Sequence, residues 1–276
     1  MTARPLVIGG RSAIGRALAA RLEAAGHQPT ATDRSTLDLA DAASIDRFAF
    51  PAGVDSLVIL AAMTSIAACE ADPALAARTN HLNPARLLQR ASEAGIPSLV
   101  VSTNLVFNGS TPHAALDDPT SPQTVYGQTK AALEADARAA GGAVLRLTKV
   151  IPPDDSRLLG WQRPLAADET VTAFDDLHIA PVTLSHVVDA LVQWTARPEP
   201  MTRHLSGEAD VSWYTLARAL ARAHHLDADR VRPASAAAAG IPPAQRPRYT
   251  SLNAPAPQAL DAVLRSLDLP PVHRRR

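Results

Sequence analysis

The sequence predicts an α/β fold: a doubly wound parallel sheet followed by a smaller C-terminal α/β lobe. Short runs rich in Val, Ile and Leu occur at Leu6–Ile8, Ser56–Leu60, Ser98–Ser102 and Ala143–Leu147. They do not alternate with polar residues, as expected of strands buried on both faces. Helical periodicity fills the gaps between them, the β-α-β rhythm of an open sheet rather than a barrel or sandwich. The texture changes after Val150, so residues 1–150 are expected to form the sheet domain and residues 151–276 a smaller, partly interleaved lobe. With 276 residues the chain has ample length for such a core.

Leu6–Ile8 is the first strand, and a glycine-containing turn joins it to a helix over Ala13–Ala25. Ile14, Leu18 and Leu22 share one face of that helix, and Gly26 ends it. Gln28–Thr32 leads a second strand to Asp33, and Ala143–Leu147 follows a helix that starts near Tyr126. Pro152-Pro153 breaks the pattern, Leu158–Ala166 predicts a helix, and Val171–Ala180 holds short strands. Thr183–Thr195 and Ser212–Ala223 read as amphipathic helices. Pro233 to Pro257, rich in Ala and Pro, predicts a long loop or lid whose alanines add a helical turn. No internal repeat stands out.

The formal charge of +0 gives no reason to expect nucleic acid or a membrane surface as partner. Leu57–Cys69, the longest mostly apolar stretch, is too short and too polar to span a bilayer. No signal-peptide pattern precedes the first strand. A single cysteine, Cys69, cannot form an intramolecular disulfide, which suits a reducing cytoplasm; it reads as a small buried apolar residue. His224-His225 lacks a partner at metal spacing, so no metal site is expected, and Arg274–Arg276 reads as a solvated tail.

Val7-Ile8-Gly9-Gly10-Arg11-Ser12-Ala13-Ile14-Gly15 joins the first strand to the first helix. Gly9 turns tightly, Gly15 lets helix approach strand, and the helix N-terminus offers N–H groups to a pyrophosphate. Ser12 takes the place of the usual middle glycine and is expected to donate a hydrogen bond to phosphate. Asp33 stands where an acid normally binds the adenosine ribose, which favours NAD. Arg34 beside it and Arg11 in the turn would favour the extra phosphate of NADP. The arginines tip the expectation to NADP, with NAD as the alternative.

Only two of the 27 Lys and Arg residues are lysines, and Lys130 lies four residues after Tyr126. That spacing sets both side chains on one helix face. A phenol with a pKa of about 10 is a poor base near neutrality. An ammonium ~4 Å away contributes ~4 kcal/mol at an effective dielectric of 20, enough to lower that value by about three units. Ser102 and Thr103, at the end of the fourth strand, are placed to hold a carbonyl oxygen by a second hydrogen bond.

With these motifs on the page, the chain resembles the extended short-chain dehydrogenase/reductases, which share a Rossmann sheet. The shared features are the glycine turn, Asp38-Leu39, Ala61-Ala62, Asn80 and the Tyr126-x-x-x-Lys130 motif. Within them it is similar to the dTDP-4-dehydrorhamnose reductase branch. The evidence is Leu37-Asp38-Leu39-Ala40-Asp41, Ser102-Thr103-Asn104-Leu105-Val106-Phe107-Asn108-Gly109, and Ser121-Pro122-Gln123-Thr124-Val125-Tyr126-Gly127-Gln128-Thr129-Lys130. The resemblance implies that Asp38 and Leu39 flank adenine, and that Ala61, Ala62, Met63, Asn80 and Ser102 line the cofactor path with Ala13 and Ile14. It implies that Thr103 polarises a keto oxygen, Tyr126 donates the proton, and Lys130 holds the nicotinamide ribose. A nucleotide sugar is the implied substrate, and paired helices flanking Tyr126 leave a homodimer as an option.

The chain departs from the branch near the sugar. Asn104 and Leu105 replace an Asp-Tyr pair, and Arg146-Leu147-Thr148-Lys149 replaces Arg-Thr-Ser-Trp. Lys149 is therefore expected to meet an anionic or keto-bearing substrate, with Met63, Trp161, Arg163 and His178 as further lining candidates. Two other readings stay open: an epimerase that retains its cofactor, and a non-catalytic NAD(P)-binding regulatory subunit.

Overall fold

A computed structural model describes residues 2–268; the Arg274–Arg276 run lies outside the described residues. From the N-terminus come β1 (Pro5–Ile8), α1 (Ala13–Ala24), β2 (Thr30–Thr32), α2 (Ala42–Arg47), β3 (Ser56–Ile59), α3 (Ile66–Ala71) and α4 (Pro73–Ala77). A π-helical turn over Arg78–Leu82 precedes α5 (Asn83–Glu93), β4 (Ser98–Thr103), α6 (Val125–Ala139) and β5 (Ala143–Leu147). Then follow β6 (Lys149–Ile151), α7 (Ser156–Ala166), β7 (Val171–Phe174), β8 (His178–Ile179), β9 (Pro181–Thr183) and α8 (Leu184–Ala196). The chain continues through β10 (Thr202–Leu205), β11 (Val211–Ser212), α9 (Trp213–Ala223), β12 (Val231–Ala234) and α10 (Leu260–Arg265). Two compact units result, one of residues 2–108, 116–147 and 184–204, the other of residues 109–115, 148–183 and 205–268.

The first unit is built on a six-stranded sheet in the order β10-β5-β4-β3-β1-β2, parallel from β5 through β2. Leu6 and Ile8 pack with Leu57, Ile59, Val100 and Val144 against Leu87 and Leu88 of α5 and Leu133 and Ala137 of α6. Val7 and Val58, which alternate to the opposite face, are also fully buried. Burial on both faces is why these strands read as unbroken apolar runs. Strand order reverses between β1 and β3, and ligands of open α/β sheets bind in the crevice outside the strand ends at such a point.

The second unit gathers Ile151, Leu158, Trp161, Leu165, Ile179, Trp213, Leu216 and Leu220 into its own core. Its strands pair two by two: β6 with β9 and β7 with β12 in parallel, β8 with β11 antiparallel. The expected long loop over Pro233–Pro257 is largely what forms: apart from the end of β12 at Pro233-Ala234 and a short 3₁₀ turn at Pro243–Gln245, it holds no regular helix or strand. Val231–Ala234 is a strand, and the turn after it is fixed by Asp176, which accepts from Ala236 N at 2.5 Å, Ala237 N at 3.1 Å and the Ser235 hydroxyl at 2.9 Å. Desolvation raises the Asp176 carboxyl, but these donors outweigh it and bring it down to about 2. Asp210 likewise takes Thr250 N and Ser251 N at 2.5 and 2.9 Å. Two carboxylates staple the segment, an arrangement that hydropathy cannot register.

Candidate active site

The turn after β1 is dictated by contact distances. Gly9 has φ +97°, and a Cβ on Gly15 would lie 2.3 Å from the Gly9 carbonyl oxygen. Ser12 caps α1, its hydroxyl accepting from Gly15 N at 3.0 Å and donating to Gly9 O at 2.9 Å. The expected donation from Ser12 to phosphate would compete with this use of its hydroxyl within the turn. The first-turn N–H groups of Ala13 and Ile14 remain the donors for an anion.

A cleft of about 680 Å³ opens beside this turn, lined by Gly9, Arg11, Ser12, Asp33, Arg34, Asp38, Leu39, Ala61, Ala62 and Met63. These ten were all anticipated for a cofactor, and Ser35, Leu37, Leu75 and Thr79 join them. The cleft lining does not include Ala13, Ile14, Gly15, Asn80, Ser102, Tyr126 or Lys130. Asn80 acts from behind the wall. Fully buried in the π-helical turn, it accepts from Met63 N at 2.7 Å, donates to Met63 O at 3.0 Å and reaches Thr129 Oγ1 at 3.5 Å. It therefore clasps the cleft wall to the helix that carries Tyr126 and Lys130. π-Turns recur at functional sites because they re-aim side chains in this way.

At the ribose end, Asp33 is held below the usual carboxylate range by the Ser35 hydroxyl at 2.5 Å, by Ser35 and Thr36 N–H, and by Arg11. Arg11 approaches its other oxygen at 3.7 Å. Arg34 is exposed on the same rim. Carboxylate and guanidinium groups thus face the same end, with one arginine already paired to the acid.

Tyr126 and Lys130 stand on the first turns of α6, whose N-terminus is capped twice. Thr124 Oγ1 accepts from Gly127 N at 3.1 Å, and Glu70 Oε1 accepts from Val125 N at 2.9 Å. Gly127 is needed where it is: a Cβ there would lie 2.2 Å from Leu105 O. That contact seats the helix on the segment after β4, where Thr103 Oγ1 accepts from Leu105 N at 3.2 Å and meets Asn104 Oδ1 at 3.5 Å. Helix and loop are held in register, so Thr103 and Tyr126 share one end of the sheet.

The expected lowering of the tyrosine is overturned. Desolvation, with the neighbouring Cys69, pushes the Tyr126 phenol up to about 12. Lys130, only 3% exposed, is brought down to about 8 by desolvation, with Glu134 acting against the fall. Burial disfavours a charge on either group, and in the free protein this outweighs any help the ammonium gives the phenolate. A neutral phenol beside a titratable lysine suits proton donation rather than proton removal.

Behind Lys130 lies a charge cluster that the sequence reading missed. Glu134 is fully buried and takes Arg146 Nη2 at 2.7 Å and Nε at 3.0 Å. Desolvation raises the Glu134 carboxyl, but Arg146, with lesser help from Ser102 and Arg138, outweighs it and holds the group below its ordinary value. Arg146 also contacts His204 Nε2 at 3.2 Å and lies 4.9 Å over the Phe107 ring. The signal was present: an arginine inside the apolar run Ala143–Leu147, and a glutamate four residues after Lys130.

In the second unit, Lys149 Nζ lies 5.7 Å and Arg157 Cζ 4.3 Å from the Trp213 ring, which meets Trp161 edge-on at 6.0 Å. Desolvation lowers the Lys149 ammonium, Asp155 opposes this, and Arg157 adds to it. Trp161 is a core residue, 8% exposed, that also edges a cavity of about 130 Å³ with Arg157 and Phe174. Arg163 is exposed, and His178 is half-buried opposite Ser212 in β8. Among the described residues no group of three or more His, Cys, Asp or Glu is arranged to hold a metal, and no helix is long and apolar enough to cross a membrane.

Residues 3–266 match the protein family described as RmlD substrate binding domain. The chain is 32% identical over 260 residues to the dTDP-4-dehydrorhamnose reductase of Streptomyces griseus, covering 91% of this chain and 85% of the relative. Its likeness to the enzyme of that name from Mycolicibacterium smegmatis is 31%, covering 92% and 79%. Among solved structures, the dTDP-4-dehydrorhamnose reductase of Bacillus anthracis in complex with NADP aligns over 96% of this chain and 98% of its own. Its TM-score is 0.86 at 18% identity, a likeness of fold.

Proposed function

The chain belongs to the RmlD substrate binding domain family, and from that premise we infer that it is a nicotinamide-dependent oxidoreductase reducing a keto group on a nucleotide sugar. The observation that carries this reading is the Asn80 clasp, which fastens the dinucleotide-sized cleft to the Tyr126–Lys130 helix through Met63 and Thr129. Glycine at 9 and 15 lets the turn pack closely against Ala61 and lets α1 start hard against the strand, as in turns that hold a pyrophosphate. Arg11 and Arg34 are the groups for the extra phosphate of NADP. Bound there, the nicotinamide cofactor supplies the hydride.

The chain's own residues do the rest. Thr103 donates a hydrogen bond from its hydroxyl to the keto oxygen and orients it, keeping its proton. Tyr126 gives its phenolic proton to the same oxygen as negative charge develops on it. Raised well above neutrality, that phenol is protonated at physiological pH, so the acid is ready in the reductive direction. Lys130 holds the ribose hydroxyls beside it and steadies the phenolate left behind. Positioning of the two reactants is the larger part of the acceleration. Lys149 and Arg157 set two cations around one indole within the second unit. A reducing cytoplasm suits the single thiol.

The test is NADPH oxidation with dTDP-4-dehydrorhamnose and related keto sugars, with NADPH affinity measured in parallel. Tyr126→Phe is expected to abolish turnover while cofactor affinity stays within a few-fold. Unchanged turnover would remove Tyr126 from the reaction, and a wild-type protein that binds neither NADPH nor NADH would end the reductase reading.

A further inference from the structure

We propose that Glu134 is a positioning residue for the reaction: buried one helical turn after Lys130 and clamped by Arg146, its carboxylate keeps the lysine side chain an ammonium and fixes where it stands. This rests on the functional reading above for its consequence, though not for its physics.

Lys130 is 3% exposed and Glu134 fully buried, four residues apart on one face of α6. An ammonium taken out of water loses several kcal/mol of hydration unless an opposite charge compensates. Many of the other charged and titratable groups on elements packed against α6 have partners of their own. On α5, Arg86 pairs with Asp46, Arg90 donates to Ile45 O and Phe48 O, and Glu93 accepts from Gln89. On α3, Glu70 caps Val125 N and Cys69 acts on Tyr126. In the π-helical turn, His81 pairs with Asp136 at 2.8 Å. Arg138 on α6 and Arg146 on β5 are bound to Glu134, and His204 on β10 to Arg146. Glu134 is the buried carboxylate one turn from Lys130 on the same face of α6, and its charge opposes the fall that desolvation imposes on the lysine. Arg146 has a second part. By binding the carboxylate through both Nε and Nη2 it stops Glu134 from collapsing onto the lysine as a closed ion pair, leaving the ammonium available to a ribose.

The chain offers an unusually direct test, because it contains only two lysines. Lysine-selective 13C labelling at Cε yields two resonances, and Lys149→Arg assigns them. In the wild type, Lys130 is expected to titrate near pH 8. In Glu134→Gln, its proton affinity should fall at least tenfold, and the alkaline limb of kcat/KM should move to lower pH by the same factor. Should the single variant fail to fold because Arg146 is left unpaired, Glu134→Gln/Arg146→Met removes both charges, and a fall of threefold or more is expected. A Lys130 midpoint within twofold of wild type in whichever variants fold overturns the proposal, as does an unmoved alkaline limb in a folded Glu134→Gln protein. The resonance titration needs no substrate, so its outcome stands apart from success or failure of the reductase assay.

Discussion

Gly127→Ala tests whether the register between α6 and the segment after β4 sets the rate. A Cβ at position 127 would lie 2.2 Å from Leu105 O and 3.0 Å from the Pro122 Cβ, whereas ordinary contact begins at 3.4 Å. Helix and loop must therefore separate by about 1 Å, because neither neighbour is a flexible side-chain tip. Overpacking of this kind costs ~1–3 kcal/mol of stability, which for a protein of this size lowers Tm by roughly 2–12 °C. The same displacement shifts Tyr126 relative to Thr103, whose hydroxyl is tied to Leu105 N. A 1 Å misplacement near reacting atoms costs ~10²-fold in rate, or ~2.7 kcal/mol of barrier. The assay is kcat/KM for NADPH-dependent keto-sugar reduction at 15 °C, well below the variant's Tm, with NADPH affinity measured beside it. Affinity is expected to hold, since the cleft lining lies elsewhere. If the variant stays folded with kcat/KM within threefold of wild type, the register argument is refuted.

Two further outcomes follow from charge. Burial brings Lys130 down to about 8 in the folded chain from the ordinary lysine value of 10.5, so the unfolded chain binds the extra proton between those values. Stability should therefore rise with pH from about 8 towards 10.5, and Lys130→Met should abolish the rise; urea midpoints across that interval check both. For the coenzyme, Arg11→Ala and Arg34→Ala should weaken NADPH by tenfold or more and NADH by less than threefold, read by calorimetry; equal losses would leave Asp33 as the deciding residue.

Local information settled much of this protein. The apolar runs at Leu6–Ile8, Ser56–Leu60 and Ser98–Ser102 announced a sheet covered on both faces, because consecutive Val, Ile and Leu residues put apolar side chains on both sides of each strand. The glycine turn and the Tyr126–Lys130 spacing marked the site, because both depend on neighbours a few positions apart. Neighbours distant in sequence were decided only by tertiary structure. Asn80 reaches Met63 and Thr129 across 17 and 49 positions, and Arg146 meets Glu134 from another element. The tyrosine's acidity also ran opposite to the helix-spacing argument, because proximity of a charge is a local property while desolvation belongs to everything packed around it. Motif spacing thus picked out the candidate groups; burial, which only the folded chain creates, decided the direction in which their proton affinities move.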